Sequence, residues 1–363
     1  MNSRFSYLHF QELKSVNNPN SIHGIYPYRG KISAIDTQRI IEQMPKNITL
    51  LDPFCGSGTI LYEAQKVGMK VIGIDNNPLA YTLSKSKTEL MNDSIRKEIV
   101  LNVKEIITKA KENKETPSMP KEPLKAFHPE TAREIMSVSV YFEQLDDYLK
   151  SAYYGAIALT ARGCNDYKWT SSTVGKNIEP KRYINFYNKF LQKTKKHILY
   201  TNDLSLNEGK VFDTDSRFLK NYINDKQIDV VLTSPPYFDA LDYTAYYAKL
   251  IFDIHGIDRQ KIRKDLIQNA STYKEDMQLV LRELNRVTKD DSLIVFVVGD
   301  RKRGKNIVNG GQFFSEIWEP SYILEREYKG TASQVFDELN NTKRKEQVVV
   351  WEKVDGQVIK YDK

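Results

Sequence analysis

Two short segments carry residue types at spacings that chemistry could use: Asp52-Pro53-Phe54-Cys55-Gly56-Ser57-Gly58-Thr59 and Thr233-Ser234-Pro235-Pro236-Tyr237. Each follows an apolar run, Ile48-Thr49-Leu50-Leu51 in one case and Val230-Val231-Leu232 in the other. Each therefore reads as a loop leaving the carboxyl end of a buried strand, the edge at which open α/β sheets bind ligands. In the first loop, Gly56 and Gly58 lack the Cβ that would keep a ligand off the backbone. In the second, Pro235 and Pro236 fix two successive φ angles and leave carbonyls without N–H groups. Ser234 adds a hydroxyl acceptor and Tyr237 a flat aromatic face. A planar amino group can donate to Ser234 and the Pro235 carbonyl while its ring stacks on Tyr237. Such bonds draw the nitrogen lone pair out of conjugation and aim it. The chemistry expected of the pair is methyl transfer to an amino group on a base, with no strong general base required.

The cofactor reading follows from what the glycine loop lacks. A nucleoside-triphosphate loop needs Lys-Ser/Thr after its last glycine, and Gly58 is followed by Thr59-Ile60. A dinucleotide fingerprint needs a third glycine at position 61, which is Leu61. A phosphate-free nucleoside held by its ribose remains. Asp75, at the end of the next apolar run (Lys70 to Asp75), is placed to accept both ribose hydroxyls. Asp52 suits a cationic amino group, and Asp215 the adenine amino group. These features suit S-adenosylmethionine. Cys55 reads as a small buried thiol.

Positioning these loops requires a βαβ unit. A helix is expected from Thr59, with Ile60, Leu61, Ala64 and Val67 at helical spacing, then a strand at Lys70–Asp75. Pro78 should open a further helix running through Leu79, Leu83 and Leu90 towards Met91. The proline-bearing stretch from Lys111 to Pro129 reads as an exposed connector, followed by helical segments over roughly 130–162. The sheet resumes with Lys210-Val211-Phe212 and Asp215, then Ile228 to Thr233 and Leu293 to Val298. Tyr322 to Tyr328 and Gln347 to Trp351 suit a closing hairpin. The fold class is α/β: a Rossmann-like, mostly parallel seven-stranded sheet with a largely helical insertion. The expected catalytic domain is discontinuous, 21–110 and 201–353, with 111–200 as the insertion.

The chain of 363 residues carries a net charge of +7, which suits a polyanionic partner. From Lys181 to Tyr200 there are six Lys and Arg, among them Lys181, Arg182 and Lys189, and no acid. Tyr183, Phe186, Tyr187, Phe190 and Tyr200 are interleaved with them. The plain reading is an amphipathic helix with a solvated basic face. The sharper one is a surface that meets phosphates and stacks on bases. Arg301, Lys302, Arg303 and Lys305 follow the Leu293–Val298 run on the same edge as both loops and are expected to meet phosphates. Two cysteines suggest neither a disulfide framework nor a zinc site, and no metal is expected. No apolar stretch could span a bilayer, so no membrane partner is expected and the cytoplasm is the default location.

The two loops resemble the amino-methylating DNA methyltransferases, the N4-cytosine and N6-adenine modification methylases. Asp52 to Thr59 is similar to their cofactor motif and Thr233 to Tyr237 to their catalytic motif. Ile25-Tyr26-Pro27-Tyr28-Arg29-Gly30-Lys31 is similar to a segment that closes over the methionine end of the cofactor. The resemblance covers about 21–78 and 211–353. It implies S-adenosylmethionine held by Tyr26, Asp52, Phe54, Cys55, Gly56, Gly58, Thr59, Asp75, Asn76 and Asp215. It also implies catalysis at Ser234, Pro235, Pro236 and Tyr237. Double-stranded DNA is the implied partner, with a base flipped out of the stack, and a restriction-modification or related defence system with a cognate endonuclease is the implied setting. Ser234 points to cytosine N4, whereas the order of the two motifs is more familiar among adenine-N6 enzymes. An RNA guanine-N2 methyltransferase and a non-catalytic nucleic-acid-binding protein on a methyltransferase fold are the competing readings.

Overall fold

The computed structural model describes residues 21–28, 32–161, 182–236, 242–245, 247–303, 306–326 and 345–361. The strands in chain order are β1 (Thr49–Asp52), β2 (Lys70–Asp75), β3 (Leu90–Met91), β4 (Asn202–Asp203), β5 (Lys210–Asp213) and β6 (Ile228–Thr233). They continue with β7 (Thr288–Gly299), β8 (Arg301–Arg303), β9 (Asn306–Val308), β10 (Tyr322–Arg326), β11 (Glu346–Val354) and β12 (Gln357–Val358). The helices are α1 (Ala34–Glu42), α2 (Thr59–Lys66), α3 (Pro78–Thr88), α4 (Asp93–Glu112), α5 (Lys121–Leu124) and α6 (Pro129–Ser139). After them come α7 (Asp147–Thr160), α8 (Phe186–His197), α9 (Tyr247–Ile254), α10 (Arg259–Asp265), α11 (Tyr273–Val287) and α12 (Gly310–Ser315).

The main sheet runs β10-β11-β7-β6-β1-β2-β5, with β12 paired to β11. The β1–β2, β1–β6, β2–β5 and β6–β7 pairs are parallel, and β11 is antiparallel to both β7 and β10. The order reverses at β1, which lies between β2 and β6, and both loops named above leave the sheet at that switch point. β6 is buried along its whole length, as a strand covered by helices on both faces must be. One face packs Leu50, Ile60, Leu61, Val230 and Val295 under α1 and α2. The other packs Leu51, Val231, Ile294 and Trp351 under α11. This is the Rossmann-like α/β sheet that the apolar runs predict, including the closing β10–β11 hairpin.

A helical layer built from α3, α4 and α6–α9 shares one apolar core with Ile22, Ile25 and Tyr26. Side-chain caps start these helices: Asn77 accepts from Leu79 N, Asn92 from Ile95 N, Asp146 from Leu149 N and Asn185 from Asn188 N. Among the described residues, no helix is long and apolar enough to cross a membrane.

Three expectations need correction. Leu90 and Met91 do not continue α3. Glu89 turns extended (φ −62°, ψ 133°), and the two residues pair in parallel with β4. The stretch after Lys111 is not simply an exposed connector: α4 continues to Glu112, and Met119, Pro123, Ala126 and Phe127 are buried. Three of the five aromatics of the basic segment, unlike the exposed Tyr183, are not available for stacking on bases, because Phe186, Tyr187 and Phe190 form the buried face of α8. Helical spacing places them on one side of α8, and that side faces the layer's core.

The helical layer also fixes the 21–28 segment. Lys193 Nζ donates to Gly24 O (2.8 Å), and His197 Nδ1 bonds Ser21 O (2.9 Å). His23 Nε2 meets Glu63 Oε1 at 2.7 Å. Gly155 on α7 packs directly under this segment: a Cβ there would lie 1.9 Å from Ile25 O. Gly155→Ala is therefore expected to push the 21–28 segment off α7. It should destabilise the protein by about 1–3 kcal/mol, read as a lowered denaturant midpoint, since overpacking against backbone cannot relax by a rotamer change.

Candidate active site

The carboxyl ends of β1, β2, β5 and β6 open into a cleft of about 810 Å³ that communicates with solvent. Its lining includes Asp52, Phe54, Cys55, Gly56, Thr59, Asp75, Asn76, Asp215, Ser234 and Pro236, all predicted from the sequence. Tyr237, Lys181 and Lys305 lie outside the described residues, as does the 29–31 end of the segment after Tyr28.

The loop after β1 is held by its own backbone and by the end of β2. Cys55 N donates to Ile74 O (3.0 Å) and Gly58 N to Cys55 O (2.7 Å). Gly56 N donates to Asp75 Oδ2 (2.9 Å), and Asn77 N to Asp75 Oδ1 (2.9 Å). Asp75 is thus aimed by two backbone donors, which leaves further lone pairs on each oxygen for a ligand. Both glycines have positive φ, 51° at Gly56 and 71° at Gly58. A Cβ on Gly56 would touch the Tyr28 ring at 3.3 Å, whereas one on Gly58 would lie 2.7 Å from Ser84 Cα. Gly58 therefore serves the close approach of α2 to α3, and Gly56 the cleft wall.

Asp52 joins the two loops. Its Oδ1 accepts from Phe54 N (3.1 Å) and from Thr233 Oγ1 (2.7 Å), the residue preceding Ser234. Burial raises the Asp52 pKa to about 7 against the pull of those two bonds, with the Asp75 charge adding to the rise. Burial likewise raises Asp75 to about 6, opposed by the bonds from Asn77 and Gly56. Two acids so close, both disfavoured as anions, make a cleft that favours a cation. Burial also raises the Cys55 thiol well above its ordinary value, so it stays protonated and is no nucleophile here.

Ser57 Oγ and Thr59 Oγ1 line the same cleft, are buried and have no hydrogen-bond partner among the described residues. Buried hydroxyls in that state call for a ligand or water. S-adenosylmethionine fits this set. Asp52 would face its ammonium group, the Ser57 and Thr59 hydroxyls its carboxylate, and Asp75 its ribose hydroxyls.

Two of the predicted residues, Tyr26 and Asp215, sit differently from expectation. Tyr26 is buried in the core of the helical layer, and Tyr28, two residues on, lines the cleft instead. β5 ends at Asp213, before Asp215, and the Asp215 carboxylate is gripped by Arg217. Arg217 N and Nε reach Oδ1 at 2.8 and 3.0 Å, and Nε and Nη2 reach Oδ2 at 3.0 and 2.5 Å. With three donors making four hydrogen bonds to it, this carboxylate shapes the cleft wall rather than offering a vacant acceptor for adenine. The Asn76 side chain donates to Asp265 O (3.1 Å), which ties the rim of the cleft to α10. Of the basic residues, Arg182 is exposed and Lys189 Nζ bonds Gln192 Oε1 (3.3 Å), both on the helical layer. Arg301–Arg303 form β8, paired antiparallel with β9 directly beyond β7.

The structure also brings residues to the site that the sequence did not single out. Tyr243 lines the cleft, and Tyr273 Oη donates to Pro236 O at 2.6 Å. Pro235 is buried behind Ser234. Tyr273 opens α11, 37 residues beyond Pro236, and no local spacing links the two.

Residues 42–123 match the family described as UPF0020, RMKL-like, methyltransferase domain. The chain is 24% identical to the type II methyltransferase M.MjaII of Methanocaldococcus jannaschii, over 89% of this chain and 78% of that one. It is 25% identical to the type II methyltransferase M.BsoBI of Geobacillus stearothermophilus, over 86% of this chain and 67% of the other. The type II methyltransferase M.MvaI of Kocuria varians is also 25% identical, with 77% and 67% covered. The glycine loop, the Ser234-Pro235-Pro236 turn beside it and these matches support an S-adenosylmethionine-dependent methyltransferase, similar over most of its length to type II methyltransferases.

Proposed function

We propose that the protein methylates the exocyclic amino group of a base flipped out of duplex DNA, with cytosine N4 as the favoured acceptor, within a restriction-modification system. The observation that carries this reading is the Thr233–Asp52 hydrogen bond, which sets Ser234 and Pro236 on the same cleft as the cofactor loop. The type II methyltransferases among its relatives support DNA as the substrate, and the net charge of +7 is in keeping with it.

When bound, S-adenosylmethionine supplies an electrophilic methyl group. Asp52 and Asp75 hold the cation in place, and Tyr28 and Tyr243 wall the cleft around it. Ser234 and the Pro235 carbonyl accept the two amino hydrogens, which localises the nitrogen lone pair towards the methyl carbon. The cofactor would supply its methyl group to the nitrogen so aimed, keeping the S–C electron pair on its sulfur. The extra proton on the methylated nitrogen would pass to solvent water, so Ser234 acts as an acceptor and orienter and need not be a base. Tyr273 holds the loop by the Pro236 carbonyl while this happens.

Ser234 favours cytosine. The order of the motifs, with the helical layer between them, favours adenine N6 as the second reading. Methylation of duplex DNA and of RNA with isotopically labelled cofactor, followed by mass spectrometry of the nucleosides, separates the cases. N4-methylcytosine is expected. N6-methyladenine would overturn the assignment resting on Ser234, and N2-methylguanosine from RNA would overturn the DNA reading. In the same assay Tyr273→Phe is expected to lower kcat about tenfold, the effect of losing one well-placed hydrogen bond of about 1–1.5 kcal/mol. Affinity for S-adenosylmethionine, measured by calorimetry, should remain that of the parent.

A further inference from the structure

We infer that α10 is a phosphate-contacting rim, a surface on which the backbone of duplex DNA lies beside the entrance to the cleft. The inference rests on the DNA reading above and adds a place to it. α10 has the sequence Arg-Gln-Lys-Ile-Arg-Lys-Asp, and each end touches the site. At its start, Arg259 Nε donates to Thr244 O and Oγ1, both at 2.9 Å, and Arg259 pairs with Asp242. Residues 242–244 follow the catalytic loop, and Tyr243 lines the cleft. At its end, Asp265 O accepts from Asn76 Nδ2 (3.1 Å) and Arg217 Nη2 (3.2 Å), and the next two residues, Leu266 and Ile267, line the cleft.

The helix is therefore fixed along the mouth and cannot swing away from whatever enters. Ile262 anchors it, while Lys261, Arg263 and Lys264 are exposed. The acids at hand neutralise them only in part, Asp265 at the end of the same helix among them. Asp258 caps the helix, accepting from Gln260 N and Lys261 N. Asp242 is already paired with Arg259, and Arg263 reaches it only at 3.9 Å. The phosphates flanking a base that enters the cleft beside α10 would meet this rim, and three partly neutralised cations held there match that charge. A solvated basic helix would carry the same residues, but it would have no reason to be bonded at both ends to the walls of the cleft.

The test is the salt dependence of duplex-DNA binding by the full chain, comparing the parent with the triple variant Lys261→Ala, Arg263→Ala, Lys264→Ala. A control removes equal charge from exposed positions of α4 and beyond: Lys97→Ala, Lys104→Ala, Lys114→Ala. Loss of up to three phosphate contacts should flatten the slope of log affinity against log salt by about 2–3 in the α10 variant. The control should keep the parent slope, and all three proteins should bind S-adenosylmethionine equally. An unchanged slope in the α10 variant, or an equal fall in the control, would overturn the placement on α10 while leaving the DNA reading intact. A parent protein that binds RNA but not duplex DNA would overturn both.

Discussion

The hydrogen bond from Thr233 Oγ1 to Asp52 Oδ1, 2.7 Å long and buried, is the constraint on which the site depends. It joins the ends of two adjacent parallel strands, β1 and β6, at the point where the order of the sheet reverses. The cofactor loop and the Ser234-Pro235-Pro236 turn therefore cannot move independently. Asp52 is buried at that junction, and its carboxylate is kept near its ionisation point by two opposed effects, desolvation and donated hydrogen bonds. A group in that condition responds strongly to a cation placed beside it.

The rest of the molecule supports this junction from three sides. Asp75, tied to Gly56 N and Asn77 N, clamps the glycine loop to the end of β2. Arg217 binds Asp215, Asp276 and Asp265 O together, so the wall formed by β5, α10 and α11 behaves as one piece. The helical layer holds residues 21–25 through Lys193 and His197, which delivers Tyr28 to the Gly56 face of the loop. In this arrangement the helices between the two motifs have a structural duty to the cleft.

Much of this was legible in the sequence because it rests on local rules. Two apolar runs ending in glycines or prolines, an acid at the end of Lys70–Asp75 and Pro78 at a helix start each act over a few residues. What the sequence concealed depends on packing between distant segments. Tyr26 and Tyr28 stand two apart in a segment without regular periodicity, and only the packing of Tyr26 beside Ile22 and Ile25 sends Tyr28 to the cleft. Asp215 read as an open acceptor because nothing local showed how Arg217 would fold back on it. The aromatics of the basic segment were ambiguous for a different reason. Positions 186, 187 and 190 fit a helix face whether that face meets a core or a nucleic acid, and the burial of Phe186 and Phe190 shows that it meets a core.

The most direct test of the junction is calorimetric titration of S-adenosylmethionine between pH 6 and pH 8, in the parent and in Thr233→Val. The Asp52 pKa in the fold, about 7, lies above its ordinary 3.8. Its protonated form therefore favours the folded state, a contribution present below the ordinary value and lost as pH rises through about 7. Binding of the cationic cofactor needs the ionised form, so affinity should rise with pH, by about tenfold over this range for one such carboxylate. Removing the Thr233 hydroxyl takes a donor from that carboxylate, so Thr233→Val should bind more weakly and move the rise to higher pH. Affinity that is flat from pH 6 to pH 8, with Thr233→Val indistinguishable from the parent, would contradict the account.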